Sequence, residues 1–126
     1  MNVPEDLRYS KEHEWARTEG DRVRVGITDY AQDALGDVVF VDLPTVDQVV
    51  EEGGLLGEVE STKSVSELYA PVAGSVVEVN TALSDAPERL NADPYGEGWI
   101  CVIVPSDPAA VEALLDPNGY RHLTDG

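Results

Sequence analysis

The stretch Gly57-Glu-Val-Glu-Ser-Thr-Lys-Ser-Val-Ser-Glu-Leu-Tyr-Ala-Pro71 contains the information that decides the fold. The run from Leu55 to Ser61 has the composition of a strand, and Ser64–Tyr69 reads as its return. The sequence therefore predicts a β-hairpin over about residues 55–69, with Lys63 at its tip. Because the tip lacks Asn-Gly and Asp-Gly, a type I turn is expected rather than the tightest hairpin turns.

Lys63 is one of only two lysines in the chain. The simplest interpretation is a solvated lysine that protects a sheet edge from pairing with another strand. The neighbouring carboxylates, such as Glu60 and Glu67, favour the ammonium form, so Lys63 is not expected to react by itself. If Lys63 is a chemical handle, another enzyme has to remove its proton and modify it.

Outward from the hairpin, the chain consists mostly of short strands separated by turn residues. Val23, Val25 and Ile27 alternate with polar residues and should point inward. Val38–Val41 is apolar at both its odd-numbered and its even-numbered positions, which predicts a strand covered on both faces. The predicted strands beside the hairpin are Arg22–Ile27, Val38–Val41, Ser75–Asn80 and Trp99–Val104. Short strands at this spacing predict an all-β barrel or sandwich.

Three segments interrupt the strands. Thr28 can cap a short helix, Asp29–Leu35. Thr81–Gly98 is rich in turn-forming residues and reads as a surface connection with one helical turn. Ser106–Leu115 has a capping serine, an early proline and spaced apolar residues, so an amphipathic helix is expected there, ended by Asp116–Gly119.

The composition restricts the partners. The 126 residues fit a single domain over residues 1–126, and 25 acidic residues against 8 basic ones give a formal net charge of -17. Such a charge repels phosphate backbones and anionic lipid surfaces, so neither nucleic acid nor a membrane is an expected partner. The N-terminal residues lack a basic segment followed by an apolar one, and a cytoplasmic protein is expected.

Residues for catalysis are few. His13 and His122 lie near opposite ends of the chain, and no metal-binding spacing surrounds them. Cys101 lies within the apolar run from Trp99 to Val104, where packing is the expected role. Gly53-Gly54 lacks the spacing of a phosphate-binding loop. The sequence therefore predicts neither an enzyme nor a metal site.

Four ordered stretches resemble one known family. Val59–Gly74 is similar to the lipoyl-attachment motif of the glycine cleavage H proteins, with Lys63 at the modified position. Glu12–Trp15, Val25–Pro44 and Asn91–Trp99 match the same family in the same order. The resemblance runs from about Leu7 to about Leu123.

The resemblance implies a mainly β fold, the lipoyl-type barrel-sandwich hybrid of two antiparallel sheets with short added helices, including C-terminal helices. It also implies a carrier rather than an enzyme, with lipoate attached covalently to Lys63. The lipoyl-lysine accepts an aminomethyl group from glycine decarboxylase (the P protein) and delivers it to an aminomethyltransferase (the T protein). Dihydrolipoyl dehydrogenase (the L protein) then reoxidises it, and a lipoyl-attaching enzyme is a further partner.

Residue by residue, the resemblance assigns two sets of roles around Lys63. The hairpin positions used for recognition and geometry are Glu60, Ser61, Thr62, Ser64 and Gly74. Glu14 and Glu67 are the positions that would hold the cationic aminomethyl arm. The chain is expected to be a monomer.

Other carriers fit less well. Biotin carriers have Met on both sides of the lysine, where this chain has Thr62 and Ser64. Lipoyl domains of 2-oxo-acid dehydrogenases precede a Pro/Ala-rich linker, which is absent from this sequence. An H-like binding module that is never lipoylated, and a lipoyl donor to other carriers, remain open alternatives.

Overall fold

The computed structural model describes residues 2–125, and its strands form two antiparallel sheets. The strands are β1 Arg8–Tyr9, β2 Glu14–Glu19, β3 Arg22–Ile27, β4 Val38–Asp42, β5 Val49–Val50, β6 Leu55–Ser61, β7 Val65–Tyr69, β8 Gly74–Val79 and β9 Cys101–Pro105. The larger sheet has the order β1-β2-β3-β9-β8-β5, and the smaller has the order β4-β6-β7. The mainly β fold with two antiparallel sheets, predicted from the sequence and its resemblance, is confirmed.

The helices are short and connect the strands. They are α1 Asp29–Leu35, α2 Ala82–Asp85, α3 Arg89–Ala92, a 3-10 helix Pro108–Ala113 and α4 Pro117–Asp125. The hydroxyl of Thr28 accepts a hydrogen bond from the backbone N–H of Ala31, as expected for the residue that caps α1. In the part of the chain that the structure describes, no helix has the length and apolar character needed to cross a bilayer.

The main core lies between the two sheets. Val23, Val25 and Ile27 are buried there, which confirms the predicted inward face of β3. Val41 and Val59 contribute from the smaller sheet. Burial of this apolar surface supplies the main favourable free energy that holds the two sheets together.

A second apolar cluster contains buried side chains from β1, β2 and α4, with Tyr9 stacked on Tyr120 at 4.6 Å between ring centroids. Trp15 in β2 is fully buried and lies across Gly26 of β3, where a Cβ would come within 2.6 Å of the indole. The indole N–H donates to the carbonyl of Pro94 at 2.9 Å. The stacking of Tyr9 on Tyr120 joins the C-terminal helix to the start of the chain.

The prediction that Val38–Val41 is covered on both faces is wrong. Val39 is 51% exposed and Phe40 is 54% exposed, while Val38 and Val41 are buried. The pairing register with β6 shifts between Val38 and Phe40, as at a β-bulge. Two consecutive side chains are therefore exposed, a pattern that alternation alone does not reveal.

The helix predicted over Ser106–Leu115 is also different in the structure. It is a six-residue 3-10 helix, capped by the side chain of Asp107 rather than by Ser106. Asp116–Gly119 was predicted to end a helix, but α4 begins at Pro117. The Asp116 carboxylate accepts from the N–H of Gly119, and proline is well suited to a first helical turn.

The connection between β8 and β9 contains two short helices, α2 and α3, where the sequence predicted one helical turn. Leu83 and Leu90 are fully buried, so each helix contributes one leucine to the main core. Asn80 donates from its side-chain amide to the carbonyls of Glu97 and Trp99, each at 2.8 Å. These bonds close the connection against the end of β8.

Candidate functional site

Lys63 lies in the turn that joins β6 to β7, and it is exposed. The hydroxyl of Ser61 accepts from the backbone N–H of Lys63 at 3.2 Å and from that of Ser64 at 3.1 Å. The N–H of Ser61 donates to the carbonyl of Ser64 at 2.8 Å. Because Ser61 is largely buried, its hydroxyl fixes the turn from below while the lysine remains outside.

The turn rests on the loop that follows α1. The N–H of Thr62 donates to the carbonyl of Asp37 at 3.1 Å. The stem of Lys63 lies over Gly36, where a Cβ would be only 3.1 Å from Cε of the lysine. Gly36 has a φ of +79°, which favours glycine. The absence of a Cβ at Gly36 therefore leaves room for the lysine stem. Its positive φ ends α1 directly after Leu35.

Asn91 fixes this loop from the side of α3. Its side-chain amide donates to the carbonyl of Gly36 at 2.8 Å and to Oε1 of Gln32 at 3.1 Å. Its oxygen accepts from the N–H of Val38 at 2.9 Å. One half-buried side chain thus holds the end of α1 and the start of β4, the two segments that flank the loop under Lys63.

A cleft of about 280 Å³ runs along the outer edge of β7, beginning beside the lysine turn. Ser64 lies at the end next to Lys63, and the apolar residues Ala31, Ala34 and Leu35 form the wall contributed by α1. At about 3.4 Å per residue, the strand from Ser64 to Glu67 extends about 10 Å. Glu14 and Glu67 both line this cleft, so the structure brings the two predicted carboxylates together.

Glu14 is a buried carboxyl, with only 3% of the residue exposed. Its Oε1 accepts from the hydroxyl of Ser10 at 2.5 Å, and its Oε2 accepts from the N–H of Tyr69 at 3.3 Å. Burial raises the pKa of Glu14 to about 7, even though these two hydrogen bonds favour the charged form. A cation entering the cleft would favour ionisation of Glu14.

Glu67 lies at the surface, in contrast to Glu14. Its Oε2 accepts from the hydroxyl of Tyr69 at 3.1 Å, and this hydrogen bond raises the pKa of that tyrosine. The backbone of Tyr69 is bonded to Glu14, as described above. Tyr69 therefore contacts both carboxylates of the cleft, one through its side chain and one through its backbone.

His13 stands beside Glu14 in the cleft wall. It has a φ of +71°, and its ring stacks on Tyr30 at 4.6 Å between centroids. Its Nδ1 is 2.8 Å from the hydroxyl of Tyr120, which is in turn 2.7 Å from the hydroxyl of Thr28. Burial lowers the pKa of His13, so the neutral imidazole is favoured.

The remaining predicted site residues lie in two places. Glu60 is exposed in β6, where it pairs with Val65 next to the turn. Gly74 lies in β8 of the other sheet, paired with Val50 and Pro105. A Cβ at Gly74 would come within 2.2 Å of the carbonyl oxygen of Val104, so glycine is needed for close strand approach.

A larger cleft of about 380 Å³ lies on the other side of Glu14. Tyr9, Tyr69 and Leu114 are among its lining residues. It contains none of the residues of the lysine turn, whereas the smaller cleft begins at Ser64. For a group attached to Lys63, the smaller cleft is therefore the adjacent one.

Other chemistry has little support in the structure. Cys101 is fully buried and burial raises the pKa of its thiol to about 12, so the thiolate is not accessible near neutral pH. Among residues 2–125, no three His, Cys, Asp or Glu side chains form a group that could hold a metal ion.

Sequence reasoning missed the supports of the site. Gly36 and Asn91 were each included as part of a matching stretch, but not as supports of the lysine turn. His13 was considered for metal binding alone, and Tyr120 was not singled out. A bridging amide such as that of Asn91 has no periodic signal in sequence, because its partners come from segments more than 50 residues away.

Comparison with known proteins agrees with this geometry. The sequence profile described as glycine cleavage H-protein matches residues 7–125. The glycine cleavage system H proteins of Anaeromyxobacter sp. (strain K) and Thermus thermophilus are 60% and 57% identical over 125 residues, covering 99% of this chain and 98% of each relative.

A solved structure is also similar. The crystal structure of a glycine cleavage system H protein from Mycobacterium marinum superposes with a TM-score of 0.90 at 46% identity, covering 98% of this chain and 100% of that one.

The two sheets, with one lysine displayed on a hairpin beside an acidic cleft, define a protein of the lipoyl-domain class. Within that class, the match over residues 7–125 and the relatives at up to 60% identity determine the family. The chain belongs to the glycine cleavage H-protein family.

Proposed function

We propose that this chain is the lipoyl-bearing carrier of a glycine cleavage system, with lipoate joined to Nζ of Lys63 as an amide. The observation that carries the proposal is the placement of Lys63, exposed at a fixed hairpin tip with a cleft starting at the next residue. The whole chain acts as one monomeric carrier unit in the cytoplasm, and it is not itself an enzyme.

The residues around Lys63 fit an attached acyl chain. The turn is fixed by Ser61 and Thr62 through backbone hydrogen bonds, so the lysine side chain is not needed to hold it. The stem of Lys63 lies over Gly36, which has no Cβ to press against it. Ala31, Ala34 and Leu35 offer an apolar wall directly beside the turn, as a hydrocarbon arm requires.

The far end of the cleft fits a cationic amine. Glu67 is exposed to solvent and Glu14 is buried, so a cation between them would meet two carboxylates at different depths. Opposite charges interact more strongly where water is excluded, which makes Glu14 the more effective partner. The cleft thereby shelters a loaded arm from water while the chain passes from one enzyme to the next.

Lipoate supplies a dithiolane that takes up the aminomethyl group of glycine and is reoxidised after the group has been passed on. The chain supplies the tether, the shelter and the recognition surface. Its partners are glycine decarboxylase (the P protein), the aminomethyltransferase (the T protein), dihydrolipoyl dehydrogenase (the L protein) and the lipoyl-attaching enzyme. Glu60, Ser61, Thr62, Ser64 and Gly74 serve recognition and geometry of the hairpin.

Intact mass spectrometry tests this proposal. Protein from lipoate-fed cells with competent lipoylation should carry one lipoyl increment, and Lys63→Arg should abolish it completely because the arginine side chain is not an acceptor. Lys11→Arg is the matched control and should keep the increment. An unmodified wild-type chain would contradict the proposal and leave an unlipoylated binding module as the alternative.

A lipoyl donor to other carriers would also carry the increment. Glycine-dependent reduction of the lipoylated chain by glycine decarboxylase separates the two functions. A chain that is lipoylated but inert with that enzyme would favour the donor function.

A further inference from the structure

Three exposed residues form a row across the outer face of the small sheet, next to the lysine turn. Phe40 of β4 pairs with Glu60 of β6, and Glu60 pairs with Val65 of β7. Phe40 is 54% exposed and Val65 is 58% exposed. Directly paired residues of an antiparallel sheet point to the same face, so two large apolar side chains flank one carboxylate within the first pair after the turn.

The next row on the same face of the sheet, further from the lysine turn, is acidic. Asp42 pairs with Glu58, and Glu58 pairs with Glu67. Like charges directly opposite each other destabilise a sheet, so this row costs stability in the isolated chain. A partner with basic side chains at this position would relieve that repulsion. The face therefore presents apolar side chains next to Lys63, and one row further from the turn it presents carboxylates that basic side chains of a partner would neutralise.

We propose that the Phe40–Glu60–Val65 row is the docking surface for the enzyme that attaches lipoate to Lys63, and that this enzyme presents apolar side chains flanked by basic ones. The inference rests on the proposed function. It goes further by assigning one face of the sheet to one partner.

The length of the arm selects this partner. Enzymes that act on a lipoyl arm meet its far end, a dozen or so bonds from the lysine Cα, and need not touch the sheet near the turn. The attaching enzyme has to bring its active site to Nζ itself. In that step the neutral amine attacks the carboxyl carbon of an activated lipoic acid, the activating group leaves as the amide forms, and the amine proton passes to a base.

The row meets the cleft at Val65, which lines the cleft along the free edge of β7. Phe40 and Glu60 lie outside the cleft lining, on the face formed by β4 and β6. Aromatic residues, including Phe, are enriched in the buried cores of protein interfaces, so Phe40 is the main anchor of the row.

The test measures transfer of lipoate, with ATP, by a lipoate–protein ligase to the unmodified full chain. The double variant Phe40→Ser, Val65→Ser should lower kcat/KM about tenfold, mainly through a higher KM, as expected for loss of two interface anchors. A rate equal to that of the wild type would overturn the proposal.

Two matched controls remove exposed apolar side chains elsewhere. Leu55→Ser acts at the far end of β6 in the same sheet, where Leu55 is 52% exposed, and Val49→Ser acts on β5 in the other sheet. Both should keep kcat/KM within about twofold of the wild type, because neither lies beside the turn. An equal loss in the controls would overturn the assignment of the face.

Small-reagent acylation of Lys63 checks that the turn is intact. A succinimidyl ester should modify Lys63 in the double variant at the wild-type rate. If this rate falls as much as enzymatic transfer does, the substitutions have altered the turn and the docking proposal fails.

Once lipoylated by prolonged reaction, Phe40→Ser, which leaves the cleft lining unchanged, should be reduced by NADH and dihydrolipoyl dehydrogenase as fast as the wild type. A matching loss with that enzyme would overturn the assignment to the attaching enzyme. A wild-type chain that accepts no lipoate at all would instead refute the proposed function.

Discussion

Trp15 and Lys63 each lie across a glycine, in two regions with opposite purposes. A Cβ on Gly26 would come within 2.6 Å of the indole of Trp15, and a Cβ on Gly36 would come within 3.1 Å of Cε of Lys63. Trp15 is fully buried and its N–H is bonded to a backbone carbonyl, whereas Lys63 is exposed.

The chain is therefore rigid around Trp15 and still presents the side chain of Lys63 to solvent. At Trp15 the missing Cβ allows close packing, and the N- and C-terminal segments cover the ring. At Lys63 the hydrogen bonds are made by the backbone of the turn and the hydroxyl of Ser61, so the turn does not depend on the lysine side chain. Stability and the proposed lipoate attachment are thereby assigned to separate residues.

Removal of each side chain should affect stability very differently. Trp15→Ala should lower the free energy of unfolding by about 3–5 kcal/mol, because it leaves a large cavity and an unpaired carbonyl. Lys63→Ala should change it by no more than about 0.5 kcal/mol, as for an exposed side chain without a packing role. Urea unfolding followed by circular dichroism measures both, and similar losses in the two variants would contradict the comparison.

Glu14 lies between the two regions, next to Trp15 in sequence and in the same cleft as Ser64. Its folded pKa of about 7 exceeds the ordinary value of 4.5. The folded state therefore holds a proton that the unfolded state has lost between these values, and stability falls as pH rises from about 4.5 to 7. Glu14→Gln should remove this loss, making the variant up to about 3 kcal/mol more stable than the wild type at pH 8.

Near pH 5 the advantage of Glu14→Gln should be small, since the folded wild type is protonated there. Urea unfolding at pH 5 and pH 8 checks the difference. Glu12→Gln is the control, because it removes a nearby exposed charge that raises the pKa of Glu14 less than burial does, and so keeps most of the pH-dependent loss. An advantage of the same size at both pH values would show that the buried carboxyl is not the cause.

A smaller loss of stability is expected on substitution of two glycines with positive φ. Gly36 and Gly53 have φ values of +79° and +77°, but only Gly36 has a neighbour that a Cβ would press against. Gly36→Ala and Gly53→Ala should each cost about 1–2 kcal/mol of stability through backbone strain. Only Gly36→Ala should also displace the lysine stem.

Labelling lysine with ¹³C at Cε provides the readout. The chain has two lysines, so Lys11 is an internal reference for Lys63. The Lys63 signal should shift in Gly36→Ala and remain in place in Gly53→Ala. A shift in both variants would mean that backbone strain at a distant loop, and not contact with residue 36, affects the lysine.

Several elements were predictable because their signals are local. The alternation in β3 and the cap at Thr28 depend on neighbouring residues, and both are confirmed. The prediction for Val38–Val41 was wrong because a bulge depends on the partner strand. The prediction that Asp116–Gly119 ends a helix was wrong because a proline that can follow one helix can also begin the next, as Pro117 does in α4.

The order of residues by itself determined the hairpin, the lysine at its tip, and the strand pattern that builds two sheets, since each follows from periodicity and turn chemistry within a few residues. Tertiary structure decided what surrounds that lysine. Gly36, Asn91 and Glu14 come from three distant segments, and the burial that raises the pKa of Glu14 exists only when those segments pack together. Desolvation and close contact depend on the folded environment, and the sequence near each residue does not encode it.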